Sequence, residues 1–272
     1  MAPPRANTAT GATQDFTAIT ELPGSYLNQQ QMARIRQRYA LGNSLAQGKR
    51  VLEVSCGAGI GLGLLARVAA QVVGSDLTYG VLATARRHYG DSIPLVGADA
   101  QTLPFADGAF DLVLSFEAIY YLPQPDAFLG EARRILAPAG ELLIGTSNPD
   151  WPHFVPGKLS VRYPGVLLLA PLLQQAGFQT LQFYGSLPTP TGVSSRQTLV
   201  AAARSQLLRL PLFAADTLAT RFLKRLAYGP LAPLPPELPV EPGQADRFKG
   251  LTPISPSQPD QVHRVIFVVA RA

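Results

Sequence analysis

The chain has 272 residues, 47% apolar and 15% charged, which supplies a sizeable core and excludes the disordered, highly charged class. Its formal charge of +5 comes without a dense Lys/Arg cluster, which argues against nucleic acid as a partner. A single cysteine, Cys56, rules out an internal disulfide and a cysteine-rich metal site, and it fits a reducing, cytoplasmic compartment.

Residues 1–25 read as a disordered tail, because MAPPRANTATGATQDF is rich in Thr and Ala and lacks the apolar core of a signal peptide. From 26 to 272 we expect one domain. Residues 26–47 predict a helix with Leu27, Met32, Ile35, Tyr39 and Leu45 on one side and Arg34, Arg36 and Arg38 pointing elsewhere. Gly48 stops it. A buried strand follows at 50–54, then glycines and a helix at 62–70. Strands are predicted at 72–76, 94–97, 110–116 and 141–146. Helices fall between them at 81–88 and 128–136, the latter closed by Pro138 and Gly140. This alternation is the signature of βαβ units, hence an α/β, doubly wound, mostly parallel sheet. No run of about twenty apolar residues occurs, so no spanning helix is expected.

After Thr146 the pattern changes. A helix ends near Ala176, a strand runs over 178–184, and VIFVVA at 265–270 makes a final strand. Residues 185–264 read as a lid-like insertion, with helical stretches at 195–210 and 216–227 and a proline-rich, irregular segment. The two helical stretches carry Arg196, Arg204, Arg209, Arg221, Lys224 and Arg225 among leucines. They read either as solvated basic faces or as a peripheral contact with a membrane or a phosphate-bearing, lipid-linked acceptor.

The stretch VLEVSCGAGIGLG at 51–63 places glycines at the carboxyl end of the first predicted strand of the sheet, where a ligand can approach the backbone. The dinucleotide fingerprint G-x-G-x-x-G is not met, because Leu62 or Leu64 stands where the third glycine belongs. Three acids accompany the loop: Glu53 before it, Asp76 at the end of the second strand and Asp99 after the third. Asp76 can accept hydrogen bonds from both hydroxyls of a ribose, and Asp99 one from the exocyclic amine of adenine.

With VVGSDLT, GADAQTLPFADGAFDLVLSFEAIYYL and EARRILAPAGELLIGT following in order, the chain resembles the class I S-adenosylmethionine-dependent methyltransferases over about 50–184 and again at 265–270. The resemblance implies a Rossmann-like sheet of seven strands, the last antiparallel, with S-adenosyl-L-methionine as cofactor and a small-molecule acceptor. It implies that Glu53 and the Gly57–Gly59 loop sit near the methionine part. It places Asp76 on the ribose, Leu77 beside adenine, and Asp99 with the Ala100 backbone on adenine. Ser55, counted with the cofactor loop, departs from the D/E-x-G-x-G-x-G pattern of the family. It fits the turn if its dihedral angles are ordinary. The Ser-Cys-Gly variant is similar to a subset acting on glycolipid and polyketide-type compounds.

Methyl transfer from a sulfonium is an in-line displacement, so alignment and water exclusion carry most of the work. A base helps when the acceptor is a hydroxyl. The candidates are Glu117 and His153, with Tyr120 and Tyr121 as pocket wall. Cys56 reads as a small buried filler and Asp111 as structural. No acidic cluster suggests a metal. The expected function is methyl transfer to a hydroxyl of a sugar, glycolipid or polyketide-like compound. The alternatives are a quinone or sterol C-methyltransferase, a nicotinamide-dependent oxidoreductase and a non-catalytic cofactor-binding protein. Oligomeric state is left open.

Overall fold

A computed structural model describes residues 15–188, 230–240 and 250–272. Strand β1 (Tyr26–Asn28) leads into helix α1 (Gln29–Leu45). Asn28 fixes that boundary: its Oδ1 accepts from Gln31 N at 2.9 Å, and the Gln31 side chain accepts from Asn28 N at 3.0 Å. The helix therefore begins after Asn28, and the first three residues of the expected helix are extended. Met32, Ile35, Tyr39 and Leu45 are buried on one face, as their spacing predicts.

The alternating units follow: β2 (Arg50–Val54), α2 (Leu62–Ala66), β3 (Gln71–Asp76), α3 (Tyr79–Tyr89), β4 (Leu95–Gly97), β5 (Phe110–Phe116), α4 (Pro125–Ile135) and β6 (Leu136–Ser147). Then come α5 (Val166–Gln175), β7 (Thr180–Pro188), β8 (Leu231–Pro233), β9 (Leu251–Ile254) and β10 (His263–Arg271). The main sheet has the order β4-β3-β2-β5-β6-β10-β7-β9. Strands β4, β3, β2, β5 and β6 are mutually parallel, and β10 runs antiparallel to both β6 and β7. Helices cover both faces, which is why β2 and β5 are mostly apolar and buried, with Glu53 and Ser115 the polar residues buried within them. One core joins α1, α2 and α3 to the sheet, and the other joins α4 and α5 to its opposite face.

The architecture is the expected α/β one, with local corrections. The described sheet has eight strands, not seven, because β9 from the presumed insertion adds an edge beside β7. Pro138 and Gly140 lie inside β6 and do not close a helix. The proline-rich segment is not wholly irregular. Strand β8 pairs with β1, Leu234 and Leu238 are buried, and Leu238 N donates to Ile60 O at 2.8 Å. Glu237 accepts from Arg67 at 3.1 Å, so residues 230–240 clamp the α2 side of the domain. The helical stretches expected at 195–210 and 216–227 lie outside the described residues. Residues 15–25, expected within a disordered tail, hold a turn of 3-10 helix at Thr17–Ile19, and Gly24 N donates to Leu234 O at 2.8 Å. Among the described residues no helix is long and apolar enough to cross a membrane.

Candidate functional site

The carboxyl ends of β2, β3 and β5 open into a cavity of about 310 Å³, where an open parallel sheet leaves room for a ligand. Glu53, Ser55, Gly57, Asp76, Leu77, Asp99, Ala100 and Glu117 all line it. Gly59, also expected at the cofactor, does not line it; its carbonyl accepts from Tyr89 Oη at 2.8 Å. His153 does not line the cavity; it sits exposed on the loop after β6, edge-on to Trp151 at 5.0 Å. Of the two base candidates, only Glu117 is brought to the cavity.

The turn after β2 places alternate residues in the left-handed region: Ser55 at φ +59°, Gly57 at +58° and Gly59 at +72°. The dihedrals of Ser55 are thus not ordinary. Ser55 holds a conformation that favours glycine while carrying a side chain, which costs about 1–2 kcal/mol. Gly61 has a different reason. A Cβ there would lie 1.9 Å from the Tyr39 ring, so this glycine makes room for an aromatic side chain.

Tyr39 in turn donates from its hydroxyl to Glu53 Oε1 at 2.7 Å. Glu53 is almost fully buried, and its Oε2 has no hydrogen-bond partner among the described residues. Burial pushes its pKa up to about 7, against the Tyr39 hydrogen bond and the Arg38 charge, which pull it down. Arg38 is paired with Glu21 and lines the same cavity, yet its Nε is buried without a hydrogen-bond partner among the described residues. An orphaned acceptor and an orphaned donor in one cavity suit the ammonium and carboxylate of an amino acid, so these residues fit the methionine end of S-adenosylmethionine.

Asp76 is engaged more than its sequence position suggests. Its Oδ2 accepts from Gly57 N at 2.9 Å and its Oδ1 from Thr78 N at 2.8 Å, which ties the glycine turn to the strand end. Burial raises its pKa, and these backbone donors hold it down in part. Each carboxylate oxygen keeps a lone pair for a ribose hydroxyl. Asp99 accepts from Gln101 N at 2.9 Å. Leu77 is half-exposed at the cavity edge, and Ala100 is buried.

On the other side, Glu117 sits just beyond β5 at φ +53°. Its Oε1 accepts from Arg34 at 2.8 Å; its Oε2 accepts from Tyr120 Oη at 2.9 Å and Ser147 Oγ at 2.8 Å. Burial pushes its pKa up, but Arg34, Arg38 and the two hydroxyls outweigh this and leave it below the usual carboxylate range. The roof comes from the N-terminal segment. Phe16 meets Tyr121 at 5.5 Å, and its N–H reaches Thr78 Oγ1 at 3.3 Å.

Sequence reasoning missed Phe16, Arg34 and Arg38. Arg34 and Arg38 do not point away from the protein but into the cavity. Their spacing of four, beside the apolar stripe at 32, 35 and 39, was the available signal. Phe16 had no periodic neighbours to mark it. Cys56 is buried with its thiol pKa pushed up by burial, and Asp111 pairs with Arg50 at 2.7 Å outside the cavity.

Residues 52–144 match the family of methyltransferase domains. A fatty-acid O-methyltransferase of Mycolicibacterium smegmatis is 43% identical over 108 residues, covering 39% of this chain and 39% of the relative. A phthiotriol/phenolphthiotriol dimycocerosates methyltransferase of Mycobacterium ulcerans is 44% identical over 106 residues, 38% of this chain and 39% of the relative. The chain therefore spans less than half the length of these curated relatives in its matches. Among solved structures, an S-adenosylmethionine-dependent methyltransferase of Thermotoga maritima superposes with a TM-score of 0.53 at 16% identity, covering 87% of this chain and 88% of that one. That likeness is one of fold.

Proposed function

We propose that this chain, which carries a class I S-adenosylmethionine-dependent methyltransferase domain, transfers a methyl group to a hydroxyl oxygen of a lipid-like small molecule, such as a glycolipid or polyketide-type compound. The observation that carries the proposal is the single cavity in which Glu53 Oε2 and Arg38 Nε are orphaned beside Asp76, with Glu117 and Tyr120 on the opposite wall. The names of the two relatives, which refer to fatty acids and to phthiotriol dimycocerosates, support a lipid-like acceptor.

When bound, S-adenosylmethionine supplies a methyl carbon activated by a sulfonium. The protein's tasks are to hold donor and acceptor in line and to keep water out. Glu53 and Arg38 would fix the methionine end, Asp76 the ribose and Asp99 the adenine. Phe16 and Tyr121 close the roof. The acceptor's oxygen forms its bond to the methyl carbon as the carbon–sulfur bond breaks, and its proton must leave. The acidity of that hydroxyl rises steeply as the oxygen becomes positive, so an ionised carboxylate of low basicity suffices late in the step. Glu117 and its partner Tyr120 are positioned for that proton.

The test is incubation of the purified chain with isotopically methyl-labelled S-adenosylmethionine and a panel of long-chain alcohols, glycolipids and phenolic lipids. Label in a base-stable methyl ether supports the proposal. Label on carbon selects C-methylation, and calorimetric binding of NAD in place of S-adenosylmethionine overturns the assignment.

A further inference from the structure

The loop between β6 and α5 presents apolar side chains to solvent in a way the methyl-transfer chemistry does not use. Val155 is 41% exposed, Leu159 48%, Val161 58% and Leu167, in the first turn of α5, 52%. Leu159 is also held at φ +66°, a conformation that disfavours a branched side chain. The loop is not loose. Phe154 packs edge-on to Tyr163 at 4.6 Å, Gly157 N donates to Tyr163 Oη at 3.0 Å, and Ser160 Oγ donates to Gly157 O at 2.7 Å. It spends backbone strain and its own aromatic core on holding leucine and valine outward.

The charged side chains of the loop itself have one sign, and the acid that precedes them, Asp150, lies against Gly165 at the start of α5. Lys158 and Arg162 are exposed among the aliphatic residues, and no Asp or Glu occurs from Trp151 to Pro188. Exposed aliphatics interleaved with Lys158 and Arg162 match an interface of acyl chains beneath anionic headgroups. An acidic protein surface would satisfy the cations but would leave the aliphatic tips in water.

The loop also touches the candidate site. Val161 N and Arg162 N donate to Tyr120 O at 2.8 and 3.3 Å, and Tyr163 stacks on the Tyr120 ring at 4.2 Å. Tyr120 lines the cavity and holds Glu117. We propose that residues 151–167 form a docking surface for an anionic lipid interface, which places the cavity wall at Tyr120 next to the layer from which a lipid acceptor is drawn. The proposal rests on the lipid-like acceptor inferred above. It is separate from the basic stretch 195–227.

The sequence supplies a local reporter, because Trp151 is the chain's sole tryptophan. The intact protein is titrated with vesicles of mixed phosphatidylglycerol and phosphatidylcholine, and separately with phosphatidylcholine alone, following Trp151 emission and co-sedimentation. The expected result is a blue shift and sedimentation with anionic vesicles, and at least tenfold weaker binding to neutral ones. At about fivefold per cation, Lys158 and Arg162 account for that ratio. The double variant Val155→Asp/Val161→Asp should bind vesicles at least tenfold more weakly, with calorimetric affinity for S-adenosylmethionine unchanged. Lys158→Gln/Arg162→Gln, a milder change, should abolish the preference for anionic vesicles. Sedimentation with unshifted Trp151 emission, undiminished binding by the aspartate variant, or no binding to anionic vesicles would each overturn the proposal. Vesicle binding needs no turnover. A protein that docks on vesicles but ignores S-adenosylmethionine overturns the proposed activity and leaves the docking surface standing.

Discussion

Cofactor affinity should depend on pH through Glu53. In the free protein this carboxyl is held at about 7 by burial, above its ordinary value of 4.5. Between those values the folded state binds more protons than the unfolded one. The stabilising contribution of the protonated form is full below about pH 4.5 and is lost as pH rises to about 7, some 3 kcal/mol in all. An ammonium placed against the orphaned Oε2 reverses the preference and keeps Glu53 ionised. Binding near pH 6 must then expel a proton from about nine molecules in ten, and near pH 7.5 from about one in four. The affinity should therefore weaken about eightfold from pH 7.5 to pH 6. Calorimetric titration with S-adenosylmethionine in two buffers of different ionisation enthalpy measures both the affinity and the proton release. Glu53→Gln should bind more weakly at pH 7.5 and show little dependence on pH in this window. A pH slope that survives in Glu53→Gln, or wild-type binding with no proton release at pH 6, would refute the placement of the ammonium at Glu53.

Asp76→Ala should weaken S-adenosylmethionine binding about ten- to hundredfold by calorimetry, because it removes the proposed ribose contacts and frees Gly57 and Thr78 N–H groups. Ser55→Gly relieves a left-handed serine at about 1–2 kcal/mol and returns about 0.5–1 kcal/mol as unfolded-state entropy. A net gain of about 0.5–1 kcal/mol raises Tm by about 1–4 °C in a scan of the cofactor-free protein, whereas a lower Tm would contradict the strain assignment. Gly61→Ala drives a methyl into the Tyr39 ring and should cost about 1–3 kcal/mol in urea unfolding. Glu117→Gln should lower kcat about a hundredfold or more with cofactor affinity held within a few-fold, and a retained kcat would remove Glu117 from the proton path.

The sequence alone determined the parallel core of the sheet and the place of the glycine turn that borders the cavity. Those features are encoded locally. Apolar runs of strand length, glycines at a strand end, and acids at Glu53, Asp76 and Asp99 keep their meaning whatever packs around them. It also indicated that Cys56, a small apolar residue directly after a buried strand, would be buried filler, as it is.

Tertiary structure decided what depended on distant segments meeting. The turn at Ser55 could not be read as strained, because a φ angle is set by the closure of β2 onto α2 and not by residue type. Arg34 and Arg38 look solvent-facing on a helical wheel, yet α1 crosses the sheet where Glu117 and Glu21 wait for them. The segment at 15–21 had too few apolar residues to predict order, and it is held by Thr78 and Tyr121, more than fifty residues away in sequence. His153 and Glu117 looked alike as bases in the chain. Only the path of the loop after β6 separates them, carrying His153 out to solvent while the end of β5 turns Glu117 inward between Arg34, Tyr120 and Ser147.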